Sequence, residues 1–405
     1  MPILLSPRLM FIWHNQSANA GGQTKLMKLT EKKIFSLVGV GAIGSHILNN
    51  CLRSGYGKWT IIDHDYFWPH NIARHVLTSN DIGYSKVESF GKKLRTTSSL
   101  ILTSLLLHQM LFGKDNSVSM AFGQSDIILD ASASIAVERH LALDVQSDAR
   151  RISCFLNPQG TATIMLLESA DRTARLDLLE MQYYRELLKN EKYSDHMSLP
   201  ETMIYSGTCR SISSRISQDN VSLSAALCCK AIKLHTSNAD GKIIIWTHVS
   251  DSVEKESFMA EKWITREYNG WQVELSLSLL NEMQADRRRA LPNETGGVLI
   301  GAYDIARKRV YVVCQVKAPD DSISSPTSFI RGCANLPERL DDIYKTALDN
   351  LTYIGEWHSH PSANTKRSAD DVKLHKAIVD YNRENCLPGC MMILGSDNFS
   401  IFIDE

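Results

Sequence analysis

Two histidines separated by one residue, followed by a serine and an aspartate, could together build a metal site. The histidines are His358 and His360, and Ser368 and Asp371 follow them. Residues 351–357 predict a β-strand, in which alternate side chains lie on one face, so both imidazoles can reach one ion. Two histidines and one aspartate leave the fourth tetrahedral position of a zinc ion open to water, which is typical of a catalytic site. The chemistry predicted is hydrolysis of an amide bond.

Each half of this pattern also has a structural interpretation. A His-x-His is often a surface or core pair, and Ser-x-x-Asp before an apolar run is a helix capping box. Together they read His-x-His-x7-Ser-x2-Asp, which matches the JAMM (MPN-type) metalloisopeptidase signature at every position, and about residues 270–405 resemble that family. The resemblance implies Zn²⁺ bound by His358, His360 and Asp371. It also implies that Ser368 hydrogen-bonds the developing oxyanion.

The same family takes its general base from a glutamate on an earlier strand. By resemblance that strand is residues 293–301, Asn-Glu-Thr-Gly-Gly-Val-Leu-Ile-Gly, which assigns the base to Glu294. Glu356 is the alternative acid, because it precedes His358 by two residues and shares its face of the strand. The family pattern ranks Glu294 first.

A glycine-rich turn between a strand and a helix lies nearer the N-terminus. Residues 34–38 predict a short buried strand, and a second strand, residues 59–62, ends at Asp63. The glycines after the first strand are Gly39, Gly41 and Gly44. Such a βαβ unit binds nucleotides, because glycines let the backbone approach phosphate and a helix N-terminus favours negative charge. The unit alone does not choose between a dinucleotide and ATP.

Polar side chains further along the chain favour ATP with Mg²⁺. They are Asp65, Asn71, Arg74, Lys86 and, at the end of another predicted strand, Asp130. Their order resembles the adenylating domain shared by ubiquitin-activating enzymes and bacterial sulfur-carrier adenylyltransferases (ThiF/MoeB-like), over about residues 30–250. The resemblance implies that Asp63 holds the ribose and that Asp130, helped by Asp65, binds magnesium. The implied phosphate ligands are Asn71, Arg74 and Lys86; for the two cations the structural alternative is a pair of solvated surface charges.

A cysteine in a Gly- and Ser-rich stretch is the candidate nucleophile. Cys209 is followed by Arg210 and, slightly later, Arg215, and neighbouring positive charge lowers the pKa of a thiol. Activating enzymes pass the adenylated carrier to such a cysteine as a thioester. Cys209 is thus predicted to accept the carrier, with structural or incidental use as the alternative, whereas Cys228 and Cys229 are predicted to pack as small hydrophobes.

A length of 405 residues predicts two or three domains, each able to bury its own core. The predicted boundaries are 1–30 for an N-terminal extension, 31–250 for a doubly wound Rossmann-like adenylation domain, 251–270 for a linker, and 271–405 for a smaller JAMM/MPN α/β zinc-peptidase domain. A helix is predicted over residues 277–289, and its final Arg287-Arg288-Arg289 is expected to be a solvated helix end. The net charge of -1 favours neither nucleic acid nor membrane as a partner. Nine scattered cysteines and no signal-peptide pattern predict a cytoplasmic protein with reduced thiols.

Three functions are compatible with these patterns. In the first, favoured because both families act on the C-terminal glycine tail of a ubiquitin-like carrier, the chain is a bifunctional enzyme of a prokaryotic ubiquitin-like pathway, of the kind found in bacterial defence islands. In the second, a zinc isopeptidase keeps a degenerate nucleotide domain that only binds the carrier. The third is sulfur-carrier activation for thiocarboxylate chemistry. The segment before Ile34 contains one arginine, Arg8, and not the arginine-bearing helix with which many family members complete a partner subunit's ATP site, which leaves full adenylation activity and a homodimer open. The carrier, and any conjugating enzyme, are other chains.

Overall fold

A computed structural model describes residues 33–97, 106–107, 116–199 and 216–405. The predicted N-terminal extension and Cys209 lie outside the described residues. The chain divides into two compact units. Unit 1 contains the described residues up to Asp177 together with those of Leu199–Ala260, and unit 2 contains Leu178–Ser198 and Glu261–Glu405.

An eight-stranded sheet forms the centre of unit 1. Its strands are β1 (Ile34–Val38), β2 (Lys58–Ile62), β3 (Leu106–Leu107), β4 (Ile127–Asp130), β5 (Arg150–Leu156), β6 (Ala162–Leu167), β7 (Lys242–Val249) and β8 (Ser252–Met259). Their order is β3-β2-β1-β4-β5-β6-β7-β8, parallel from β3 to β5 and antiparallel from there on. The chain leaves β1 on one side and returns to β4 on the other, so the carboxyl ends of β1, β2 and β4 meet where doubly wound folds bind ligands.

The helix predicted over residues 277–289 agrees closely with the structure, where it is one of nine α-helices of the described residues. They are α1 (Ala42–Arg53), α2 (Lys86–Thr97), α3 (Asn116–Gly123), α4 (Ile135–Leu143), α5 (Leu176–Lys189), α6 (Gln218–His235), α7 (Leu277–Ala290), α8 (Leu336–Thr346) and α9 (Ala369–Arg383). Short 3-10 helices are Pro69–Arg74, Ser79–Asp81, Glu191–Tyr193 and Ile305–Arg307. Within the described ranges, no helix combines the length and apolar character needed to cross a bilayer.

Helices α1 and α6 share the apolar core of unit 1. Ile47 and Cys51 on α1, and Cys228 on α6, are fully buried in one cluster with the sheet residues. Cys51 Sγ lies 3.2 Å from Cys229 Sγ. Cys228 and Cys229 therefore pack as small core residues, as predicted.

A seven-stranded mixed sheet forms the centre of unit 2. The strands of the unit are β9 (Trp263–Tyr268), β10 (Trp271–Ser276), β11 (Gly296–Asp304), β12 (Arg309–Lys317), β13 (Ile323–Ser325), β14 (Ser328–Ile330), β15 (Thr352–Ser359), β16 (Gly389–Leu394) and β17 (Phe399–Asp404). The sheet order is β17-β16-β15-β11-β12-β10-β9, and β13 and β14 form a separate hairpin.

The two faces of this sheet are covered by different helices. Leu279 and Met283 of α7 share a core cluster with Trp357 of β15. On the other face, Ile378 of α9 packs with Met391 and its neighbours on β16. Since side chains alternate along a strand, His358 lies on the α9 side, opposite Trp357. The predicted α/β class, a Rossmann-like domain followed by a smaller α/β domain, is confirmed.

The predicted linker, residues 251–270, is wrong as a description of local structure. It contains β8, the last strand of the unit 1 sheet, and β9, the edge strand of the unit 2 sheet. Strand β8 lies at the edge of the sheet and carries exposed Ser, Glu and Lys residues, and this polar composition resembles that of a connector.

Residues Leu178–Ser198 were predicted within the first domain but belong to unit 2. Arg185 of α5 is almost fully buried there, with its Nη1 2.8 Å from Glu261 Oε2 and its Nη2 2.9 Å from Glu282 Oε1. A buried guanidinium needs such partners, so these ion pairs fix α5 to unit 2.

Candidate metal and nucleotide sites

The two histidines and the aspartate of the predicted zinc site lie together. His358 is the penultimate residue of β15, and Asp371 lies in the first turn of α9. His358 Nε2 is 3.1 Å from Asp371 Oδ1, and His360 Nε2 is 3.8 Å from Asp371 Oδ2. One potential ligand atom from each residue lies within 4.8 Å of the others. The cluster is therefore compact enough for one ion.

The ring nitrogens of this cluster fit a metal ion. His358 Nε2 is buried, and its nearest acceptor among the described residues is Asp371 Oδ1 at 3.1 Å, the neighbouring residue of the same cluster. His360 Nδ1 lies 2.6 Å from the carbonyl oxygen of Asn364, an acceptor that requires the proton on Nδ1. The Nε2 lone pair of His360 is then directed to the cluster, in the tautomer that metal-binding histidines use.

Asp371 is held by a capping box at the start of α9. Ser368 N donates to Asp371 Oδ2 at 2.6 Å, and Asp371 N donates to Ser368 Oγ at 3.2 Å. Burial raises the pKa of Asp371, but the His358 ring and the hydrogen bonds with Ser368 lower it more, so the pKa falls well below its usual range. The capping and the metal-site interpretations of Ser-x-x-Asp are thus compatible, because one motif does both.

Glu294 lies two residues before the start of β11 and beside the cluster. Strand β11 pairs with β15, with Gly296 opposite His358, and Ser359 N donates to Thr295 O at 2.7 Å. The hairpin holds the glutamate backbone, since Glu294 N donates to Ser325 O at 2.9 Å. Burial and the Asp371 carboxylate raise the pKa of Glu294, while the two histidines lower it less. A raised pKa suits a carboxylate that accepts and returns a proton near neutral pH.

The alternative acid, Glu356, is occupied by an ion pair. Arg331, which follows β14, places its Nη2 2.8 Å from Glu356 Oε1, and both side chains are largely buried. Glu356 lies on β15 opposite Val298 and two residues before His358. This geometry favours Glu294 as the free carboxylate of the site.

The prediction of a solvated arginine run at the end of α7 is wrong for its first member. Arg287 is 4% exposed, whereas Arg288 and Arg289 are exposed. Its guanidinium donates to the carbonyl oxygens of His360 and Pro361. The only sequence signal was the position of Arg287 on the apolar face, four residues after the buried Met283.

The predicted nucleotide residues gather at the carboxyl edge of the unit 1 sheet. Asp63 follows β2, and its carboxylate accepts from Val40 N at 2.7 Å and from Asp65 N at 2.8 Å. Asp130 ends β4, and its Oδ1 accepts from Ser132 N at 2.9 Å. Asp63 thus ties the glycine turn to β2, and Asp130 lies on the strand next to β1.

The three glycines have different local environments. Gly39 has a φ of +86°, and a Cβ there would lie 2.8 Å from the backbone of Ser132. A Cβ on Gly44 would lie 2.1 Å from Gly39 O, so helix α1 packs directly on the turn. Gly41 is the N-cap of α1, and no described atom lies within 4 Å of its Cβ position. The open position at an N-terminus without a capping side chain fits a phosphate group.

Lys86 is a buried cation, which contradicts the solvated-charge alternative for this residue. It begins α2, is 5% exposed, and places Nζ 2.6 Å from Asp65 Oδ2. Asn71 and Arg74 lie in the 3-10 helix Pro69–Arg74, where Asn71 Oδ1 accepts from Trp68 N at 2.9 Å and Arg74 is partly buried. Lys86 and Arg74 therefore both lie on the segment that follows β2.

His75 couples the glycine turn to this segment, and sequence reasoning did not identify it. Its Nε2 lies 2.6 Å from Val40 O, and Leu77 N donates to its Nδ1 at 3.0 Å. Both contacts require the neutral ring with the proton on Nε2. Burial lowers the pKa of His75 to about 4, although the Val40 contact opposes the shift.

We expect unit 1 to lose stability in mild acid through His75. The folded-state pKa of about 4 lies below the unfolded value of 6.5, so the unfolded state binds the extra proton and stability falls as pH drops from about 6.5 towards 4. The contribution lost between pH 7.5 and pH 5 is about 2 kcal/mol. Urea unfolding of wild type and His75→Gln across this range measures it; equal pH slopes for both proteins would contradict the assignment.

Alanine substitutions at Gly39 and Gly41 should separate folding from nucleotide binding. In Gly39→Ala the alanine would have to adopt the positive φ of this turn, and its Cβ would clash with the backbone of Ser132. We therefore expect the substitution to destabilise the fold by more than about 1 kcal/mol. Gly41→Ala meets no described atom, so thermal stability should be kept. Its methyl group occupies space that a phosphate would use, and ATP affinity by calorimetry should fall roughly tenfold or more, which is about 1.4 kcal/mol. Unchanged affinity in Gly41→Ala would remove the phosphate assignment.

Comparisons with known proteins find two domain families in this chain. Residues 14–149 match the ThiF family, and residues 276–403 match the prokaryotic homologs of the JAB domain. The "CD-NTase/cGAS isopeptidase" of Enterobacter hormaechei subsp. hoffmannii (strain UCI 50) is 33% identical over 148 residues, which are 36% of this chain and 81% of that protein. The "ATP-dependent ubiquitin transferase-like protein Cap2" of Escherichia coli (strain TW11681) is 34% identical over 151 residues, 35% of this chain and only 25% of Cap2. A crystal structure of E. coli MccB with ATP has a TM-score of 0.38 and 18% identity, over 61% of this chain and 69% of that one.

Proposed function

Because the chain belongs to the family of the CD-NTase/cGAS isopeptidase and joins its JAB (JAMM/MPN-like) domain to a ThiF-family domain, we propose that it is a bifunctional enzyme of a bacterial ubiquitin-like conjugation pathway. Its front half adenylates the C-terminus of a ubiquitin-like carrier with ATP and Mg²⁺. Its back half is a zinc peptidase that matures the carrier or cleaves its conjugates. The names of two relatives, an isopeptidase and an ATP-dependent ubiquitin transferase-like protein, support a ubiquitin-like carrier as the partner. The role proposed for this pathway is antiphage defence.

The observation that carries the peptidase assignment is the buried Nε2 of His358 beside Asp371 and His360. Zn²⁺ held by these three residues would lower the pKa of a water molecule to about 7 and polarise the scissile carbonyl. Glu294 would accept a proton from the attacking water and return it to the leaving amine. Because Ser368 Oγ accepts a hydrogen bond from Asp371 N, its own hydroxyl hydrogen remains available to the developing oxyanion.

The adenylation half uses the open N-terminus of α1 and the cations beside it. The carboxylate of the carrier would attack the α-phosphorus of ATP, forming an acyl-adenylate and releasing pyrophosphate. Gly41 allows the phosphates to approach, and Lys86 with Arg74 balances their charge. Asp63 would hold the ribose, and Asp130 the magnesium ion. Cys209 is the proposed acceptor of the activated carrier: its thiolate attacks the acyl carbon of the acyl-adenylate, forming a thioester and releasing AMP.

Metal analysis of the full-length protein tests the peptidase half without knowledge of the carrier. We expect about one zinc ion per chain in wild type. Asp371→Asn should lose the zinc ion, because it removes the negatively charged ligand from a site that has only three protein ligands. Asp370→Asn is the matched control, because Asp370 is exposed and pairs with Lys373. If wild type bound no more zinc than Asp371→Asn, the peptidase assignment would be wrong.

A further inference from the structure

Three successive arginines end α7, and only the first is enclosed by the protein. Arg287 is 4% exposed, while Arg288 and Arg289 are exposed and Arg289 pairs with Asp286 on its own helix. Burying a guanidinium is unfavourable unless several of its N–H groups find acceptors. The groups that accept hydrogen bonds from Arg287 therefore indicate which part of the protein the buried side chain stabilises.

Arg287 holds the backbone of a predicted zinc ligand. Its Nε donates to His360 O at 2.9 Å, and its Nη2 donates to Pro361 O at 2.6 Å. The planar guanidinium thus spans two successive carbonyl groups, which fixes the direction of the peptide between them. A single ammonium group cannot reproduce this two-pronged contact.

Other contacts complete the support of His360. Its backbone N–H donates to Leu394 O at 2.9 Å, and its ring Nδ1 lies 2.6 Å from Asn364 O. Since His360 lies just beyond the end of β15, the ladder with β11 does not hold it. Arg287 reaches this turn from α7 and holds the carbonyl side of the ligand residue, while Leu394 holds its amide side.

We propose that Arg287 is a positioning residue of the metal site, which orients His360 through its main-chain carbonyl rather than by touching the metal ion. This inference rests on the proposed zinc function. Ligand orientation by outer hydrogen bonds typically changes metal affinity 10–100-fold. Zinc affinity should therefore depend on the two parallel hydrogen bonds from the Arg287 guanidinium, and not only on its positive charge.

The test compares Arg287→Lys with Arg288→Lys in the full-length, metal-stripped protein. Zinc affinity is measured by competition with a chelator, the Co²⁺ absorption spectrum reports ligand geometry, and thermal unfolding without metal reports the fold. For Arg287→Lys we expect zinc binding weakened roughly 10–100-fold with an altered Co²⁺ spectrum, and a folded metal-free protein. Arg288→Lys should match wild type in all three.

Every other outcome contradicts either the positioning role of Arg287 or the zinc peptidase function on which it rests. Wild-type zinc affinity and an unchanged Co²⁺ spectrum in Arg287→Lys would overturn the positioning role while leaving the zinc peptidase intact. Arg287→Gln, which keeps amide donors without charge, serves as a second variant if the lysine form does not fold. Failure of both to fold would make Arg287 a stability residue and also overturn the proposal. If wild type itself binds no zinc, the proposed function fails first.

Discussion

Glu294→Gln is expected to lower peptidase kcat/KM by about 10²–10⁴-fold while the zinc content stays that of wild type. Glutamine keeps the size and the backbone contacts of Glu294 but cannot accept the proton of the attacking water. The proposed zinc ligands are other residues, so the metal site should persist. The measurement is the rate of release of a C-terminal extension from the carrier, with metal analysis of the same samples.

Glu356→Gln is the matched control for this prediction. It makes the same chemical change two residues before His358, but removes a carboxylate that is already paired with Arg331. We expect activity within about one order of magnitude of wild type, because the base is retained. An inactive Glu356→Gln together with an active Glu294→Gln would reverse the two assignments.

Lys86→Met is expected to lower carrier-dependent ATP–pyrophosphate exchange by about 10²–10³-fold, the effect of removing one strong electrostatic contact from a developing charge. Lys86 is the buried cation at the start of α2, and its apolar stem is kept by methionine. Its present partner, Asp65, is about half exposed and can be solvated when the ammonium group is removed. The fold should therefore survive, and the loss should appear in the exchange rate.

Lys92→Met provides the comparison on the same helix. Lys92 is exposed and lies over the ring of Tyr84, with Nζ 4.4 Å from the ring centre. Exchange should be unchanged in this variant. Full exchange activity in Lys86→Met would show that Lys86 does not stabilise the triphosphate of ATP.

The parts of the sites that lie close in sequence could be predicted from spacing alone. His358 and His360 share a strand end, and Ser368 and Asp371 form one helix turn, so local periodicity brings each pair together. In unit 1 the glycine turn and Asp63 belong to one βαβ unit, whose geometry follows from its pattern. Such local rules need no knowledge of the remaining chain.

The contacts between distant segments could not be predicted in this way. Arg287 meets the His360 turn across 73 residues, and a charged triplet at a helix end is usually solvated. The Arg331–Glu356 pair depends on the position of the hairpin, which no local pattern specifies. Glu294 was found only through the family resemblance, because the pairing of β11 with β15 is what brings it to the histidines.

The most direct test of the bifunctional proposal is intact-mass spectrometry of the protein co-expressed with the ubiquitin-like carrier and other products of neighbouring genes. In Asp371→Asn, where the peptidase is silent, we predict carrier adducts of several kilodaltons on the protein, lost on reduction if they are thioesters. Adding Lys86→Met to the same chain should remove them. An expressed carrier with no adduct in Asp371→Asn, or adducts that persist with Lys86→Met, would contradict activation and processing of one carrier by the two halves.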